Sequence, residues 1–439
     1  MKVLKFGGTS VGSAQRMKEV AKLITDGEQK IVVLSAMSGT TNTLVEISDY
    51  LYKKNPEGAN EIINKLEAKY KQHVDELYAT QEYKQKGLEV IKSHFDYIRS
   101  YTKDLFTLFE EKVVLAQGEL ISTAMVNFYL QECGVKSVLL PALEFMRTDK
   151  NAEPDPVYIK EKLQAQLELY PDMDIYITQG FICRNAYGEI DNLQRGGSDY
   201  TASLIGAAVN ASEIQIWTDI DGMHNNDPRI VDKTAPVRQL HFEEAAELAY
   251  FGAKILHPTC IQPAKYANIP VRLLNTMDPE APGTLISNDT EKGKIKAVAA
   301  KDNITAIKIK SSRMLLAHGF LRKVFEIFES YQTSIDMICT SEVGVSVTID
   351  NTKHLNEILD DLKKYGTVTV DKEMCIICVV GDLEWENVGF EAKALDAMRD
   401  IPVRMISFGG SNYNISFLIR ECDKKVALQS LSDMLFNNK

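Results

Sequence analysis

Residues 1–13 read MKVLKFGGTSVGS, and this stretch decides the fold. Val3, Leu4 and Phe6 predict a short apolar strand, Gly7-Gly8 ends it, and small polar residues open the helix that follows. A glycine turn at a helix N-terminus lets backbone N–H groups approach an anion, and the helix dipole favours negative charge there. The stretch therefore predicts an anion site, although a buried first strand with a tight turn would explain the same residues.

Lys5 stands beside this turn and adds a positive charge. The lysine of a Walker A loop follows its glycines, whereas this one precedes them. The order argues against an ordinary P-loop.

Composition excludes several functional classes. With 439 residues the chain can form two or three domains, and 50 Lys+Arg against 61 Asp+Glu give a net charge of −11. This balance argues against nonspecific binding to nucleic acid or to membranes. The first residues lack the features of a signal peptide and no apolar run approaches a membrane span of roughly 20 residues, so we expect a cytoplasmic protein.

The seven cysteines do not indicate a disulfide framework, because their number is odd. Cys375 and Cys378 form a CxxC pattern within an apolar, strand-like run. Residues three apart on a strand face opposite sides, so both are interpreted as core thiols rather than as a metal or redox pair.

Strands alternate with helices over roughly the first two thirds of the chain, which predicts a mainly parallel sheet with helices on both faces. Ligands bind such sheets beyond the carboxyl ends of the strands. A second polar turn, residues 37–42, follows the strand at 31–36, so two strand ends bring small polar residues to one rim. Residues 57–111 predict a helical layer or lid, residues 117–119 the start of a helix, and residues 174–182 one strand.

A charged linker at residues 287–296 precedes a smaller unit that recurs. Residues 304–370 follow the pattern βαββαβ of a ferredoxin-like unit. Residues 376–435 repeat this pattern without its last strand, and the unused run at 295–300 can supply that strand. The second repeat would then be discontinuous in sequence.

Two further segments suit phosphate chemistry. Residues 194–201, QRGGSDYT, predict a second helix start that favours anions, with Arg195 placed to bind a carboxylate or phosphate; a helix cap with a surface arginine is the alternative. WTDIDG (217–222) and NDPR (226–229) suit a nucleotide and its Mg²⁺, although Asp-Gly and Asp-Pro are also ordinary turn signals. Two anion cradles with a lysine, an arginine and carboxylates predict phosphoryl transfer, in which the protein positions groups and neutralises charge.

Taken together, these motifs resemble those of a known family, the aspartokinases. The matching motifs occur in order along nearly the whole chain: KFGGTSV, LSAMSGTTN, QGELIST, RGGSDYTA, WTDIDG with NDPR, FGAKILHP, HGFLRKVFEIF and TSEVGVSVTID. The resemblance implies an α/β fold: a three-layer parallel-sheet amino-acid-kinase domain (1–288) followed by two ferredoxin-like ACT domains (300–372 and 373–439, with strand 295–300). It also implies phosphorylation of the L-aspartate side chain by ATP with Mg²⁺, giving 4-phospho-L-aspartate, the first step towards lysine, threonine and methionine.

The resemblance also assigns roles to residues. Lys5 and Asp199 would be catalytic, and Ser35, Thr41, Glu119, Arg195 and Ser198 would bind aspartate. No residue would bind metal directly, since Mg²⁺ would come with the ATP phosphates. The nucleotide would contact Lys5, Gly7, Gly8, Ser10, Thr218, Asp219, His224, Asp227, Arg229 and Lys254. His224 replaces a usual Tyr near the adenine, and Gln194 stands where a Gly often precedes the arginine.

The tail resembles the ACT pair of lysine-inhibited, monofunctional aspartokinases, which implies a homodimer formed through these domains. Ala317 replaces a polar residue expected there, and a dimerisation module without ligand is the alternative. The chain ends at Lys439, without room for a fused homoserine dehydrogenase. The effector, expected to be L-lysine, would contact Met314, Gly319, Phe320, Leu321, Asp336, Ser341 and Glu342.

Two other functions compete with this interpretation. Another amino-acid kinase of the same fold, such as a glutamate kinase, differs by one methylene in its substrate, which changes discrimination by only about 1–3 kcal/mol. A non-catalytic amino-acid sensor would use the paired small domains alone. Such a sensor would not require Lys5, Asp199 and the nucleotide-side residues.

Overall fold

The computed structural model describes residues 1–103, 105–193, 196–252, 256–311 and 318–436. The chain forms two compact units. The first comprises Met1–Met223 and Ile255–Asn288, and the second comprises His224–Lys254 and Asp289–Lys439. Residues 224–254 thus group with the C-terminal part of the chain, while the domain boundaries predicted above remain predictions.

The elements of both units follow in chain order. Up to residue 218 they are β1 (Lys2–Phe6), α1 (Ala14–Ile24), β2 (Lys30–Leu34), α2 (Thr40–Tyr52), α3 (Pro56–Leu77), α4 (Gln81–Ser100), α5 (Leu108–Glu132), β3 (Ser137–Leu140), α6 (Pro156–Glu168), β4 (Ile175–Gln179), β5 (Ile182–Arg184), β6 (Ile190–Asn192), α7 (Gly197–Val209) and β7 (Ile214–Thr218). Beyond it they are β8 (Gln239–His241), α8 (Phe242–Tyr250), α9 (Gln262–Tyr266), β9 (Val271–Asn275), β10 (Thr284–Ser287), β11 (Ile295–Lys310), α10 (Phe320–Ser330), β12 (Ile338–Ser341), β13 (Gly344–Ile349), α11 (Leu355–Lys363), β14 (Thr367–Gly381), α12 (Phe390–Ala397), β15 (Met405–Ser407), β16 (Asn414–Arg420) and α13 (Lys424–Leu435).

The first unit is built on a sheet with the strand order β3-β4-β2-β1-β7-β9-β10. The first six strands in this order (β3, β4, β2, β1, β7 and β9) are parallel to one another. Strand β10 runs antiparallel to its neighbour β9. Successive side chains of a strand point to opposite faces, and every residue of β2 is buried, so both faces of the sheet are covered. The predicted α/β fold with a mainly parallel sheet is confirmed.

Helix α5 begins nine residues earlier than predicted, at Leu108 rather than near Gln117. Thr107 and Glu110 form a capping box, and this T-x-x-E pattern is the sequence signal for the true start. Glu119 therefore lies in the middle of a rigid helix. By length and composition α5 could cross a membrane, but 72% of its most apolar window is buried, which makes it weak evidence for a span.

The segment at residues 174–182 is not one strand. It breaks after Gln179, and β5 then pairs with β6 in a separate hairpin. At the break Phe181 has a φ of +68°, which is rare for a residue with a side chain. The Phe181 N–H donates to Thr201 Oγ1 at 3.1 Å, and its carbonyl accepts from the Leu193 N–H at 2.7 Å, so tertiary hydrogen bonds hold this conformation.

In the described part of the second unit, a sheet has the order β12-β13-β11-β14-β16-β15. Two long strands, β11 and β14, lie at its centre, and each belongs to both ferredoxin-like repeats. The run left unused by the sequence pattern pairs with the second repeat, Ala297 opposite Val380. The second repeat is therefore discontinuous in sequence.

Candidate active site

A cavity of about 350 Å³ opens at the carboxyl ends of β1 and β2. Both polar turns predicted from the sequence contribute to it, and the Ser38 N–H donates to the Gly8 carbonyl at 3.1 Å, which ties the two turns together. All of its lining residues belong to the first unit: Lys5, Gly8, Ser35, Ala36, Met37, Ser38, Gly39, Thr41, Asn42, Glu119, Phe181, Gly196, Gly197, Ser198 and Asp199.

Lys5 and Asp199 form an ion pair at this cavity. The Lys5 Nζ lies 2.7 Å from Asp199 Oδ1, and the two side chains are 11% and 14% exposed. Lys5 projects from β1, while Asp199 lies in the first turn of α7, where the helix dipole stabilises a carboxylate. The ammonium is thus held in one position at the rim of the cavity.

Two helices point their N-termini at the same cavity. Gly39 caps α2 and Gly196 caps α7, with φ values of +83° and +78°. Among the described residues, no side chain forms a hydrogen bond at either cap. The Thr40 N–H donates to the Met37 carbonyl at 3.0 Å, and the other amides at these two helix starts are available to a ligand. Two such ends favour a ligand with at least one phosphate or carboxylate group.

Glu119 supplies the opposite charge. It projects from α5, is 3% exposed, and its Oε1 accepts from the Ala36 N–H at 3.2 Å. Burial raises the pKa of Glu119 to about 7. Its other oxygen, Oε2, is buried and has no hydrogen-bond partner among the described residues. A buried carboxylate oxygen of this kind can accept hydrogen bonds from a ligand ammonium group.

Small hydroxyl side chains complete the wall between these charges. Ser35 Oγ donates to Ser198 Oγ at 2.9 Å, and the Ser35 carbonyl accepts from Ser122 Oγ at 2.8 Å. Thr41 lies in the first turn of α2 and lines the same cavity. The structure thus brings Lys5, Ser35, Thr41, Glu119, Ser198 and Asp199 together at one cavity.

Of the two glycines after β1, Gly8 is sterically required. A Cβ added to Gly8 would lie 2.8 Å from the Ala36 carbonyl oxygen, and one added to Gly7 would lie 3.5 Å from Lys5 Nζ. Backbone therefore approaches this position closely, as a phosphate cradle requires.

Ser10 is fully buried, and its hydroxyl shares a 2.7 Å hydrogen bond with Thr276 Oγ1. We expect Ser10→Ala to lower the free energy of unfolding by about 1–3 kcal/mol, because the Thr276 hydroxyl loses its buried partner. We expect the KM for ATP to change less than about threefold, since both hydroxyls are satisfied internally. Urea denaturation and initial-rate kinetics measure the two effects, and a large rise in KM would instead favour the predicted nucleotide role of Ser10.

The other predicted nucleotide residues lie in several places. Thr218 ends β7, and Asp219 follows it at an exposed position. His224, Asp227 and Arg229 belong to the second unit; His224 Nδ1 lies 3.0 Å from Thr234 Oγ1, and Arg229 Nη2 lies 2.7 Å from Asp227 Oδ2. These roles remain predictions. Arg195 and Lys254 lie outside the described residues.

The predicted effector residues are in the second unit. Gly319 caps α10 with a φ of +83°, Phe320 is buried and Leu321 is 37% exposed. Asp336 precedes β12, Ser341 ends it, and Glu342 follows at an exposed position. Met314 lies outside the described residues.

Phe181 is a cavity residue that the sequence did not indicate. A Cβ on Gly197 would lie 2.7 Å from Phe181 Cδ2, so the ring packs against the start of α7. The only sequence signal was the preceding Gly180, and this does not distinguish a break from a continuous strand.

Comparison with known proteins decides the family. The amino acid kinase family matches residues 1–275, and an ACT domain matches residues 377–435. The chloroplastic aspartokinase 1 of Arabidopsis thaliana is 36% identical, over 99% of this chain and 80% of its own length. The chain belongs to the aspartokinase family.

Solved structures of the aspartokinase family agree with this assignment. A crystal structure of Escherichia coli aspartokinase III with aspartate and ADP, in the R-state, has a TM-score of 0.86 at 32% identity and covers 99% of this chain and 100% of that one. The same enzyme with lysine and aspartate, in the T-state, has a TM-score of 0.81 at 32% identity, with 99% of both chains covered.

Proposed function

We propose that this protein transfers the γ-phosphoryl group of ATP to the side-chain carboxylate of L-aspartate. The main support for this proposal is the arrangement of charges in one cavity. The Lys5–Asp199 pair and the buried Glu119 oxygen, which has no hydrogen-bond partner among the described residues, both line it. The Lys5 ammonium suits the phosphates of a nucleotide, and the Glu119 carboxylate suits the ammonium group of an amino-acid substrate.

The described residues fit ATP with Mg²⁺. The close backbone approach at Gly8 and the uncapped N-termini of α2 and α7 suit phosphate oxygens. No group of three or more His, Cys, Asp or Glu side chains within the described ranges could hold a metal ion by itself. Mg²⁺ would enter on the nucleotide phosphates, where it neutralises part of their charge.

Glu119 binds the substrate α-ammonium group, and Arg195, by resemblance, binds the α-carboxylate. Thr41 and Ser35 hold the reacting carboxylate, whose oxygen attacks the γ-phosphorus while the bond to the ADP oxygen breaks. Lys5 stabilises the negative charge on the transferring group, and Asp199 holds the Lys5 ammonium in place. No covalent enzyme intermediate and no general base are needed, because a carboxylate is already deprotonated.

The same proposal includes regulation. Lysine is the proposed inhibitor, supported by the similarity to the E. coli enzyme solved with lysine. An inhibitor acts by binding an inactive arrangement more tightly than the active one. A homodimer formed through the ACT repeats and a cytoplasmic location complete the proposal.

Hydroxylamine trapping tests the function. The protein is incubated with ATP, Mg²⁺ and either L-aspartate or L-glutamate, each with and without L-lysine, and the acyl phosphate is measured as hydroxamate. We expect hydroxamate from aspartate only, with less product when lysine is present. Product from glutamate alone would favour the other kinase, and no product from either substrate would favour the sensor.

A further inference from the structure

Asp336 is a buried carboxylate in the second unit, and two donors reach one of its oxygens. Lys301 Nζ lies 2.7 Å from Asp336 Oδ1, and the Tyr250 hydroxyl donates to the same atom at 2.9 Å. The Asp336 side chain is 1% exposed. Its second oxygen, Oδ2, is buried and has no hydrogen-bond partner among the described residues. This oxygen can accept one more cationic donor.

Tyr250 ends helix α8 and joins it to the regulatory sheet. Lys301 Nζ lies 4.4 Å from the centre of the Tyr250 ring, so the same ammonium contacts both the ring and Asp336. Two residues further on, Gly252 has a φ of +114°, and a Cβ there would lie 2.2 Å from the Ala300 carbonyl oxygen. The end of α8 is thus held against β11 beside Lys301. In sequence, Tyr250 stands four residues before Lys254, a predicted nucleotide residue.

The second repeat contains the same arrangement with the charges reversed. The Asp336 N–H donates to the Thr348 carbonyl at 2.9 Å, and in the other repeat the Arg404 N–H donates to the Leu418 carbonyl at 2.7 Å. Arg404 Nε in turn lies 2.8 Å from Asp371 Oδ2.

The acidic and basic partners also occupy matching places on the central strands. Lys301 lies three residues before Ile304, and Asp371 three residues before Met374, the residue that pairs with Ile304. Asn303 directly precedes Ile304 and Glu373 directly precedes Met374, and both have a positive φ, 59° and 55°.

The two ion-pair sites, Lys301–Asp336 and Arg404–Asp371, share one feature and differ in others. An ion pair linking the repeats is common to both sites. The Asp336 site differs in three ways: Tyr250 joins it, Lys301 also lies 2.9 Å from Asp350 Oδ2, and the Asp336 carboxylate is almost fully buried. The Asp371 side chain, in contrast, is 44% exposed. An ion pair needed only to hold the repeats together does not require a tyrosine from α8.

We propose that the Tyr250 hydroxyl couples amine binding at Asp336 to nucleotide binding, and this inference rests on the proposed inhibition by lysine. In the effector-free protein Tyr250 and Lys301 share Asp336, and α8 stays fixed to β11. An effector ammonium takes the free oxygen and competes for the carboxylate, which releases the Tyr250 hydroxyl and the end of α8. The effector thereby favours an arrangement that binds ATP less well.

The experiment uses the full-length protein. Coupling is measured as kcat/KM for ATP without lysine divided by its value at saturating lysine, and lysine binding is measured by calorimetry. We expect Tyr250→Phe, which lacks the hydroxyl bond to Asp336, to keep the wild-type kcat but to raise the KM for ATP without lysine towards the value of lysine-bound wild type. The variant should bind lysine at least as tightly as wild type. Its coupling ratio should fall at least fivefold.

Two more variants sharpen the test. Arg404→Met removes the equivalent ion pair of the second repeat and should leave both lysine binding and the coupling ratio within twofold of wild type. Asp336→Asn should weaken lysine binding at least tenfold, because the carboxylate charge that attracts the ammonium is lost.

The proposal is overturned if Tyr250→Phe keeps the wild-type coupling ratio or loses lysine binding, or if Asp336→Asn binds lysine as wild type does. It is also overturned if Arg404→Met lowers the ratio as much as Tyr250→Phe, because general loosening of the sheet would then explain both. Wild-type protein that forms hydroxamate but ignores lysine would overturn the proposed inhibition and this inference together, and would leave the catalytic proposal standing.

Discussion

Lys5→Ala should lower kcat for aspartyl hydroxamate formation by about 10³-fold or more. The variant removes the cation that is held 2.7 Å from Asp199 at the cavity rim, so no side chain at this position balances the charge of the transferring phosphoryl group. Lys5→Arg should remain strongly impaired, because a planar guanidinium cannot replace a compact ammonium in a position fixed by a buried strand.

Lys30→Ala is the matched control for this prediction. Lys30 is also buried, lies on the neighbouring strand β2 and pairs with Asp26, but it lies at the opposite end of that strand from the cavity. Its loss should lower the free energy of unfolding and leave kcat of the folded protein within threefold of wild type. Equal losses of kcat in both variants would show that Lys5 acts through structure, and full activity in Lys5→Ala would exclude its catalytic role.

Glu119→Gln should raise the KM for aspartate about 100-fold with a smaller effect on the KM for ATP. Gln keeps the shape of the side chain and can still accept from the Ala36 N–H, but it lacks the charge that attracts an ammonium group. Burial raises the pKa of Glu119 to about 7, so the ionised fraction of this carboxyl group grows as the pH approaches 7. The kcat/KM of the wild-type protein for aspartate should therefore rise about tenfold per pH unit below pH 7 and level off above it. The variant should lack this rise, and an unchanged profile would contradict the assignment.

The same carboxyl group affects stability in the opposite direction. The pKa of Glu119 is higher in the folded protein than its ordinary value of 4.5, so the folded state binds the proton more tightly. The free energy of unfolding must therefore fall as the pH rises from about 4.5 to 7, by about 3 kcal/mol in total. Glu119→Gln should not show this fall, and urea titrations at pH 5 and pH 8 without aspartate compare the two proteins.

Much of the site was predictable because it is local in sequence. Lys5, Gly7 and Gly8 stand together at the end of one strand, and Ser198 and Asp199 stand together at the start of one helix. The carboxyl ends of parallel strands lie on one edge of a sheet, so a mainly parallel sheet was enough to bring these segments together. Glu119 came from a resemblance of motifs, since the middle of an apolar helix carries no local signal of a binding role.

What the sequence did not reveal depends on tertiary contacts. The conformation of Phe181 is held by Thr201 and Leu193, and no pattern in residues 174–182 indicates those hydrogen bonds. The contact between Tyr250 and Asp336 was equally hidden, because the two residues are 86 positions apart in the chain. The start of α5 is a different case, because the local T-x-x-E capping pattern at Thr107 does mark it in the sequence.

The shared strands β11 and β14 determine how the regulatory half must fold. Ile295 pairs with Gly381 at one end of the same two strands that pair Lys310 with Thr367 at the other. Neither repeat has a complete sheet of its own, so neither can unfold while the other stays folded. The two repeats therefore form one cooperative unit. A cut within either long strand would damage both repeats at once. Natural variation in this half should therefore be concentrated in loops and helix surfaces, because exchange of a whole repeat would break the strands that both require.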